Sequence, residues 1–269
     1  MWDFFVYNYS VMTLEKKIQL DSHQVNTQFL FSESVKDDSI LFVFLHEALG
    51  SIPQWRDFPQ LLCNQMGLNG IVYDRRGHGN SDPENAKRDA NYLHEAAYSE
   101  FKKLMDVLIP LDKKIILIGH SDGGTIALLY AAKYPKQIAG IVTMAAHVLV
   151  EEETLNGIHP AIVAFENGKL AGLKKFHGDK TTDLFYAWAN TWLMPEFKSW
   201  NIVDEIKDIV CPALILQGKE DQYGTEKQVN ETVSALENAE GVMLDNCKHH
   251  PHLEKTKEVI DLISKAILI

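Results

Sequence analysis

The stretch Ile116–Ala132 reads ILIGHSDGGTIALLYAA, and it decides the fold. It opens with a short, continuous apolar run, as in a strand that is covered on both faces of a parallel sheet. It closes with apolar residues at helical spacing. The polar, glycine-rich turn between them is very short, so the stretch predicts a buried strand that passes directly into a helix.

The same alternation runs along the rest of the chain. From Leu14 to Glu33, apolar and polar residues alternate, which predicts two half-exposed strands at the edge of a sheet. Further short apolar runs predict buried strands; they are SILFVFLHE (39–47), NGIVYD (69–74), GIVTMAAH (140–147), PALILQG (212–218) and the weaker GVMLDN (241–246). Segments with helical spacing lie between them. The pattern predicts an α/β fold with a mostly parallel central sheet and helices on both faces.

One interval of the chain is too long for a single crossover helix. It separates the predicted strand that ends at His147 from the one that begins at Pro212, and it is rich in Trp, Phe and Met. We interpret residues from about 150 to 205 as a helical cap, inserted after the sixth strand of a single 269-residue domain. Trp188, Trp192 and Phe185 are candidates to face a pocket beneath it.

Composition excludes several classes of function. The formal net charge is −11 without clusters of Lys or Arg, which argues against nucleic-acid binding. No apolar run approaches the ~18 residues of a membrane span, and the opening MWDFFVYNYS has no basic flank, so we expect neither signal peptide nor anchor. Cys63, Cys211 and Cys247 are odd in number and widely spaced, which favours reduced thiols and a cytoplasmic location. The oligomeric state is not indicated.

The turn between strand and helix carries a chemical motif. Gly119-His120-Ser121-Asp122-Gly123 has the form G-x-S-x-G, in the strand-to-helix context that a nucleophile elbow requires. Such a turn projects Ser121 Oγ over the sheet at a helix N-terminus, where oriented amides favour developing negative charge. The alternative is a plain helix cap, since Ser and Asp are common N-cap residues. The flanking strand and helix favour catalysis.

A serine nucleophile needs a base and a group that orients the base. This type of fold supplies them in the order serine, acid, histidine. Asp221 follows the run PALILQG, with Glu220 as its rival, and three histidines compete for the base in the loop after GVMLDN: His249, His250 and His252. The loop FLHEALGS (44–51) follows another buried strand and could aim a second backbone N–H at an oxyanion, alongside the N–H of Asp122.

With these motifs in view, the chain resembles the α/β-hydrolase-fold serine hydrolases over nearly its whole length. The resemblance rests on LHEALGS, IVYDRRGHGNSD, IGHSDGG, LILQGKEDQYG and CKHHPHLEK. It implies Ser121 as nucleophile, Asp221 as acid and His249 as base, since Pro251 and Glu254 complete the family pattern G-H-x-P-H-x-E. No metal or organic cofactor is expected, because side chains or amides meet every charge that develops.

Two positions depart from the family pattern. Lys248 replaces the usual glycine before the base, and His46-Glu47 stands where the family has His-Gly. The second oxyanion donor is therefore expected to be the amide of Ala48, with that of Glu47 as the alternative.

Two further side chains are candidates for the pocket. A Glu47 carboxylate that faced the cleft would oppose an oxyanion unless it were paired or protonated, so we expect it to turn toward an arginine: Arg56, Arg75 or Arg76. His147, at a strand end, could contact substrate or cap the following helix.

These observations predict a serine hydrolase that cleaves a small, partly apolar carboxylic ester or related acyl compound through an acyl-enzyme intermediate. One alternative is hydrolysis of a carbon–carbon bond in a vinylogous diketone, which the same triad performs. An alternative of another class is a small-molecule receptor without catalysis, since fold alone does not fix function. Ser121 at the elbow excludes the relatives of this fold that use an aspartate nucleophile.

Overall fold

Eight strands form one sheet within residues 13–84 and 87–267, the part of the chain that the computed structural model describes. The opening decapeptide MWDFFVYNYS lies outside the described residues. The strand order is β1-β2-β4-β3-β5-β6-β7-β8. The strands are β1 (Thr13–Leu20), β2 (His23–Leu30), β3 (Ile40–Leu45), β4 (Asn69–Tyr73), β5 (Lys114–His120), β6 (Ile138–Met144), β7 (Ala213–Gly218) and β8 (Ala239–Leu244).

The sheet is mostly parallel, as the continuous apolar runs predict. Strand β2 pairs antiparallel with both β1 and β4, whereas all pairs from β4 to β8 are parallel. Strand β1 alternates exposed and less exposed residues, while every residue of β4 and β7 is buried. Because the parallel strands share one direction, the loops after their carboxyl ends converge on one rim of the sheet.

Helices cover both faces of the sheet. Within the described residues they are α1 (Phe58–Met66), α2 (Tyr92–Glu95), a π-helical turn (Ala96–Phe101) continued by α3 (Lys102–Leu108), α4 (Asp122–Lys133), α5 (Glu152–Glu166), α6 (Lys174–His177), α7 (Thr181–Leu193), α8 (Glu226–Ala235), α9 (Pro251–Glu254) and α10 (Thr256–Ala266). None of them is both long enough and apolar enough to cross a membrane.

The core has two layers because side chains alternate along a strand. In β3, Leu41, Val43 and Leu45 belong to the layer that contains the apolar residues of α4. Phe42 and Phe44 belong to the other layer, together with residues of α1 and α10. Both layers pack against β5, so the strand before Ser121 is fixed from both sides.

The helical insertion, residues 152–208, lies between β6 and β7. It comprises α5, α6, α7 and several 3₁₀ turns, which matches the helical character predicted for residues of about 150–205. Its aromatic residues mostly pack on one another. The Trp192 ring lies 4.9 Å from that of Phe197, and Phe197 stacks on Trp200 at 5.3 Å.

Candidate active site

Ser121 occupies the tight turn that the sequence predicts. Strand β5 ends at His120 and α4 begins at Asp122, so Ser121 is the single residue between them. Its backbone has φ 51° and ψ −120°, in a region that non-glycine residues rarely adopt. The N–H of Ser121 donates to the Met144 carbonyl at 2.8 Å, which ties the turn to the end of β6. The surrounding structure thereby holds a strained residue at the rim of the sheet.

Gly123 shows why the turn requires small residues. A Cβ atom at this position would overlap the backbone carbonyl of Leu45. We therefore expect Gly123→Ala to lower the free energy of unfolding by about 3 kcal/mol or more, because neither backbone segment can move aside. Urea denaturation measures the change. Gly172→Ala is the matched control, since a Cβ there meets nothing within 4 Å, and equal stability losses in both variants would contradict the packing argument.

His249 and Asp221 form the acid–base pair of the site. The Nδ1 atom of His249 lies 2.9 Å from each carboxylate oxygen of Asp221. Asp221 also accepts the side-chain amide of Gln217 at 2.6 Å and the N–H of Tyr223 at 2.9 Å. The rival carboxylate, Glu220, is exposed. The structure therefore brings Asp221, and not Glu220, to the histidine.

The pair stabilises its own charges. Burial disfavours the charged form of each partner, but the attraction and the hydrogen bond between them outweigh it. As a result the pKa of Asp221 is lowered and the pKa of His249 is raised. Since Asp221 accepts a hydrogen bond from the Nδ1–H group of His249, the neutral imidazole keeps its lone pair at Nε2.

The other two histidines of the loop have different surroundings. His252 is buried, with its ring 4.6 Å from that of Trp55, and burial holds its pKa well below the usual value. Burial lowers the pKa of His250 to about 4. His120, the neighbour of Ser121, contacts the backbone carbonyl of His249 with Nε2 at 2.7 Å. This bond connects the histidine loop to the elbow, and no sequence pattern predicts it.

A cavity of about 230 Å³, here called the main cavity, opens over this rim. Ser121, His249, Glu47, Ala48 and Asp122 all line it. Its apolar wall comes mainly from the helical insertion and consists of Ile158, Ala161, Leu170, Leu173, Trp188 and Trp192, with Leu49 from the loop after β3. A second cavity of about 220 Å³ shares Glu47, Gln54 and His250 with the main cavity.

The expected oxyanion amides belong to two separate elements. Asp122 is the first residue of α4, so its N–H has no acceptor within the helix. Ala48 lies on the loop after β3. Both residues line the main cavity beside Ser121, so their placement is compatible with the role that the resemblance implies.

The pocket candidates occupy three different places. His147 lines the main cavity, where its Nε2 contacts the Tyr223 carbonyl at 2.9 Å, and it does not cap α5, whose N-cap residue is Glu151. His46 lines only the second cavity; its Nε2 accepts the N–H of Arg75 at 3.0 Å. The prediction for Phe185 is wrong. Its ring is fully buried and stacks on Phe165 at 3.9 Å, because it faces the interior of the insertion.

Asp122 takes part in a buried network that sequence reasoning missed. Its Oδ1 accepts the Tyr92 hydroxyl at 3.0 Å, and Tyr92 in turn accepts the indole N–H of Trp192 at 2.8 Å. Its Oδ2 lies 3.4 Å from both terminal nitrogens of Arg75, which also donates to the Glu47 carbonyl at 2.9 Å. The network joins the elbow, the loop after β3 and the insertion. The only signal was the position of Arg75 directly after a buried strand.

The Glu47 side chain does not turn toward an arginine, contrary to expectation. Its Oε2 accepts the N–H of Leu49, two residues along the same loop. Arg75 binds the main-chain carbonyl of Glu47 instead, and its ion pair is with Asp122. Burial raises the pKa of the Glu47 carboxyl group, although the hydrogen bond from Leu49 opposes this rise. The carboxylate therefore faces the main cavity without an arginine partner.

Across residues 13–84 and 87–267, no group of three or more His, Cys, Asp or Glu side chains is arranged to hold a metal ion.

Comparisons with known proteins agree with this fold. A family model described as the alpha/beta hydrolase fold matches residues 40–199. The serine hydrolase BPHL of Mus musculus is 27% identical over 248 residues, covering 89% of this chain and 83% of that protein. A proline iminopeptidase of Saccharolobus solfataricus is 24% identical, with 87% and 86% covered. Among solved structures, proline iminopeptidase of Mycobacterium smegmatis superposes with a TM-score of 0.70 at 16% identity, covering 94% of this chain and 97% of that one. The chain belongs to the α/β-hydrolase-fold family, whose characteristic chemistry is hydrolysis.

Proposed function

We propose that the protein is a serine hydrolase that cleaves small carboxylic esters or related acyl compounds, with Ser121, His249 and Asp221 as its catalytic triad. The observation that carries the proposal is the hydrogen bond of His249 Nδ1 to Asp221, made by a histidine that lines the same cavity as Ser121. A strained serine at a helix N-terminus, together with an oriented imidazole, is the arrangement that acyl transfer requires.

The proposed reaction has two stages. His249 Nε2 takes the proton of Ser121 as Oγ attacks the carbonyl carbon, and the oxyanion is stabilised by the amides of Asp122 and Ala48. The imidazolium, stabilised by Asp221, then protonates the leaving group, and the acyl-enzyme remains. Water attacks this ester with His249 as base, which releases the acid and restores Ser121.

The cavity supports a small, partly apolar substrate. Its volume is modest, and its wall is mostly aliphatic and aromatic, with Trp188 and Trp192 among the lining residues. We propose that the helical insertion acts as a cap that excludes water from this cavity.

A panel of substrates tests the proposal. We expect hydrolysis of p-nitrophenyl esters of short acids, with no added metal or cofactor. The panel includes proline p-nitroanilide, since proline iminopeptidases are among the similar proteins, and a vinylogous diketone. Turnover of the diketone alone would favour the carbon–carbon hydrolase. Tight binding of ligands without turnover of any compound would favour the receptor.

The pH profile of kcat/KM should show an acidic limb set by His249. Only the neutral imidazole can accept the serine proton, so activity falls as pH drops through its pKa. Asp221 raises that pKa despite burial, so the midpoint should lie above 6.5. In Asp221→Asn the attraction is lost while burial remains, and the midpoint of the residual activity should move to lower pH. Rates measured from about pH 5 to pH 9 test this; an unmoved midpoint would contradict it.

We further propose a cytoplasmic location. The three cysteines are free thiols in the structure, which agrees with a reducing compartment.

A further inference from the structure

Glu47 presents a carboxylate to the main cavity that lacks a full set of partners. Its Oε2 accepts the N–H of Leu49. Among the described residues, its Oε1 has no hydrogen-bond partner, and no lysine or arginine forms an ion pair with the carboxylate. A charged group partly removed from water is costly unless it is paired. The position therefore calls for a donor that the protein itself does not supply.

Most of the neighbouring polar groups are already occupied by the protein. Asp122 accepts from Tyr92 and Arg75, and Asp221 accepts from His249. The hydroxyl of Thr154 donates to the Tyr223 carbonyl at 2.6 Å, and His147 contacts the same oxygen. Asp122 and Asp221 are thus each held by side-chain donors, whereas Glu47 has the Leu49 N–H and the weaker, longer-range attraction of His249 and Arg75.

The position of Glu47 also limits where a ligand group would lie. The residue directly precedes Ala48, an expected oxyanion donor. It lines the main cavity together with His249 and the second cavity together with His250. A negative charge there attracts the His249 imidazolium but opposes the oxyanion that forms during attack, and a positive charge of the substrate would offset that opposition. A cation would therefore relieve the unpaired carboxylate in the complex and remove its penalty in the transition state.

We infer that Glu47 binds a positively charged nitrogen of the substrate, located within a few bonds of the scissile carbonyl. The inference rests on the proposed hydrolase function and narrows its substrate class to amine-bearing esters or amides. The apolar wall of the main cavity would accept the rest of such a substrate.

Two matched pairs of esters test this inference. In the first pair the charge lies on the acyl group, and in the second it lies on the leaving group. L-leucine p-nitrophenyl ester is compared with p-nitrophenyl 4-methylpentanoate, which lacks only the amine. Butyrylcholine is compared with 3,3-dimethylbutyl butyrate, its neutral analogue. In at least one pair, the protein should prefer the charged member, and Glu47→Gln should reduce the ratio of kcat/KM values at least about 10-fold. Glutamine can still accept the Leu49 N–H, which preserves the loop.

Glu237→Gln is the matched control, because it removes an exposed carboxylate outside both cavities and should leave the ratios unchanged.

A measurement on the unaltered protein adds a check that needs no variant. The 3-methylbutylammonium ion should inhibit p-nitrophenyl butyrate hydrolysis at least about 10-fold more strongly than 3-methylbutan-1-ol.

Equal ratios in the unaltered protein and in Glu47→Gln, or equal inhibition by the two compounds, would overturn the inference while leaving ester hydrolysis intact. Failure to hydrolyse any of the four esters would instead contradict the proposed function itself.

Discussion

Replacing Ser121 by alanine should reduce kcat for p-nitrophenyl ester hydrolysis by about 10⁶-fold, which removes nearly all turnover. Ser121 Oγ is the nucleophile that bonds to the acyl carbon, and no other side chain at the elbow can form that acyl-enzyme. The variant should stay folded, because the smaller side chain leaves the packing around Gly119 and Gly123 unchanged. Steady-state kinetics with extensively purified protein, together with thermal unfolding, measure both expectations.

Ser234→Ala is the matched control for this substitution. Ser234 lies exposed on α8, away from the cavity, and its loss should leave kcat unchanged. The proposal would be refuted by a Ser121→Ala protein that retains a few per cent or more of the original rate in a preparation free of contaminating esterase.

Asp221→Asn should reduce kcat by about 10⁴-fold. The carboxylate fixes the Nδ1 proton of His249 and stabilises the imidazolium, and an amide cannot carry that charge. An asparagine that donated its N–H to Nδ1 would also select the wrong tautomer, with the proton on Nε2. The binding of substrate depends little on this group, so KM should change far less than kcat.

Glu220→Gln separates the two carboxylates of the same loop. Because Glu220 is exposed, its substitution should alter kcat by no more than a few-fold. Loss of activity in Glu220→Gln with near-normal turnover in Asp221→Asn would show that the wrong acid has been assigned. Both variants are compared by single-turnover kinetics with p-nitrophenyl butyrate.

Much of the fold could be predicted because buried parallel strands are apolar without interruption. The apolar run 116–118 is typical of a strand buried inside a sheet, and the glycines after it favour a tight turn. The half-exposed pattern of β1 and β2 marked the edge of the sheet in the same way. Helix α1 was harder to predict, because its segment FPQLLCNQM is short and has a proline at its second position.

The site was less accessible to sequence reasoning, because it depends on which way side chains turn. Phe185 and Trp188 are three residues apart on α7, yet only Trp188 lines the main cavity. The sequence predicts an arginine beside Glu47, but the structure pairs Arg75 with Asp122 and leaves the Glu47 carboxylate without an arginine partner. These side-chain orientations and ion pairs depend on packing between segments that are distant in the sequence, which a periodic pattern does not predict.

The central claim is that Ser121, His249 and the two amides converge on one reacting carbonyl. A crystal structure of the protein after reaction with a p-nitrophenyl phosphonate tests it most directly. The account predicts a covalent bond from phosphorus to Ser121 Oγ, with one phosphoryl oxygen about 2.7–3.1 Å from the N–H groups of Asp122 and Ala48. An unmodified Ser121, or an adduct whose oxygen points away from both amides and from His249, would contradict the account.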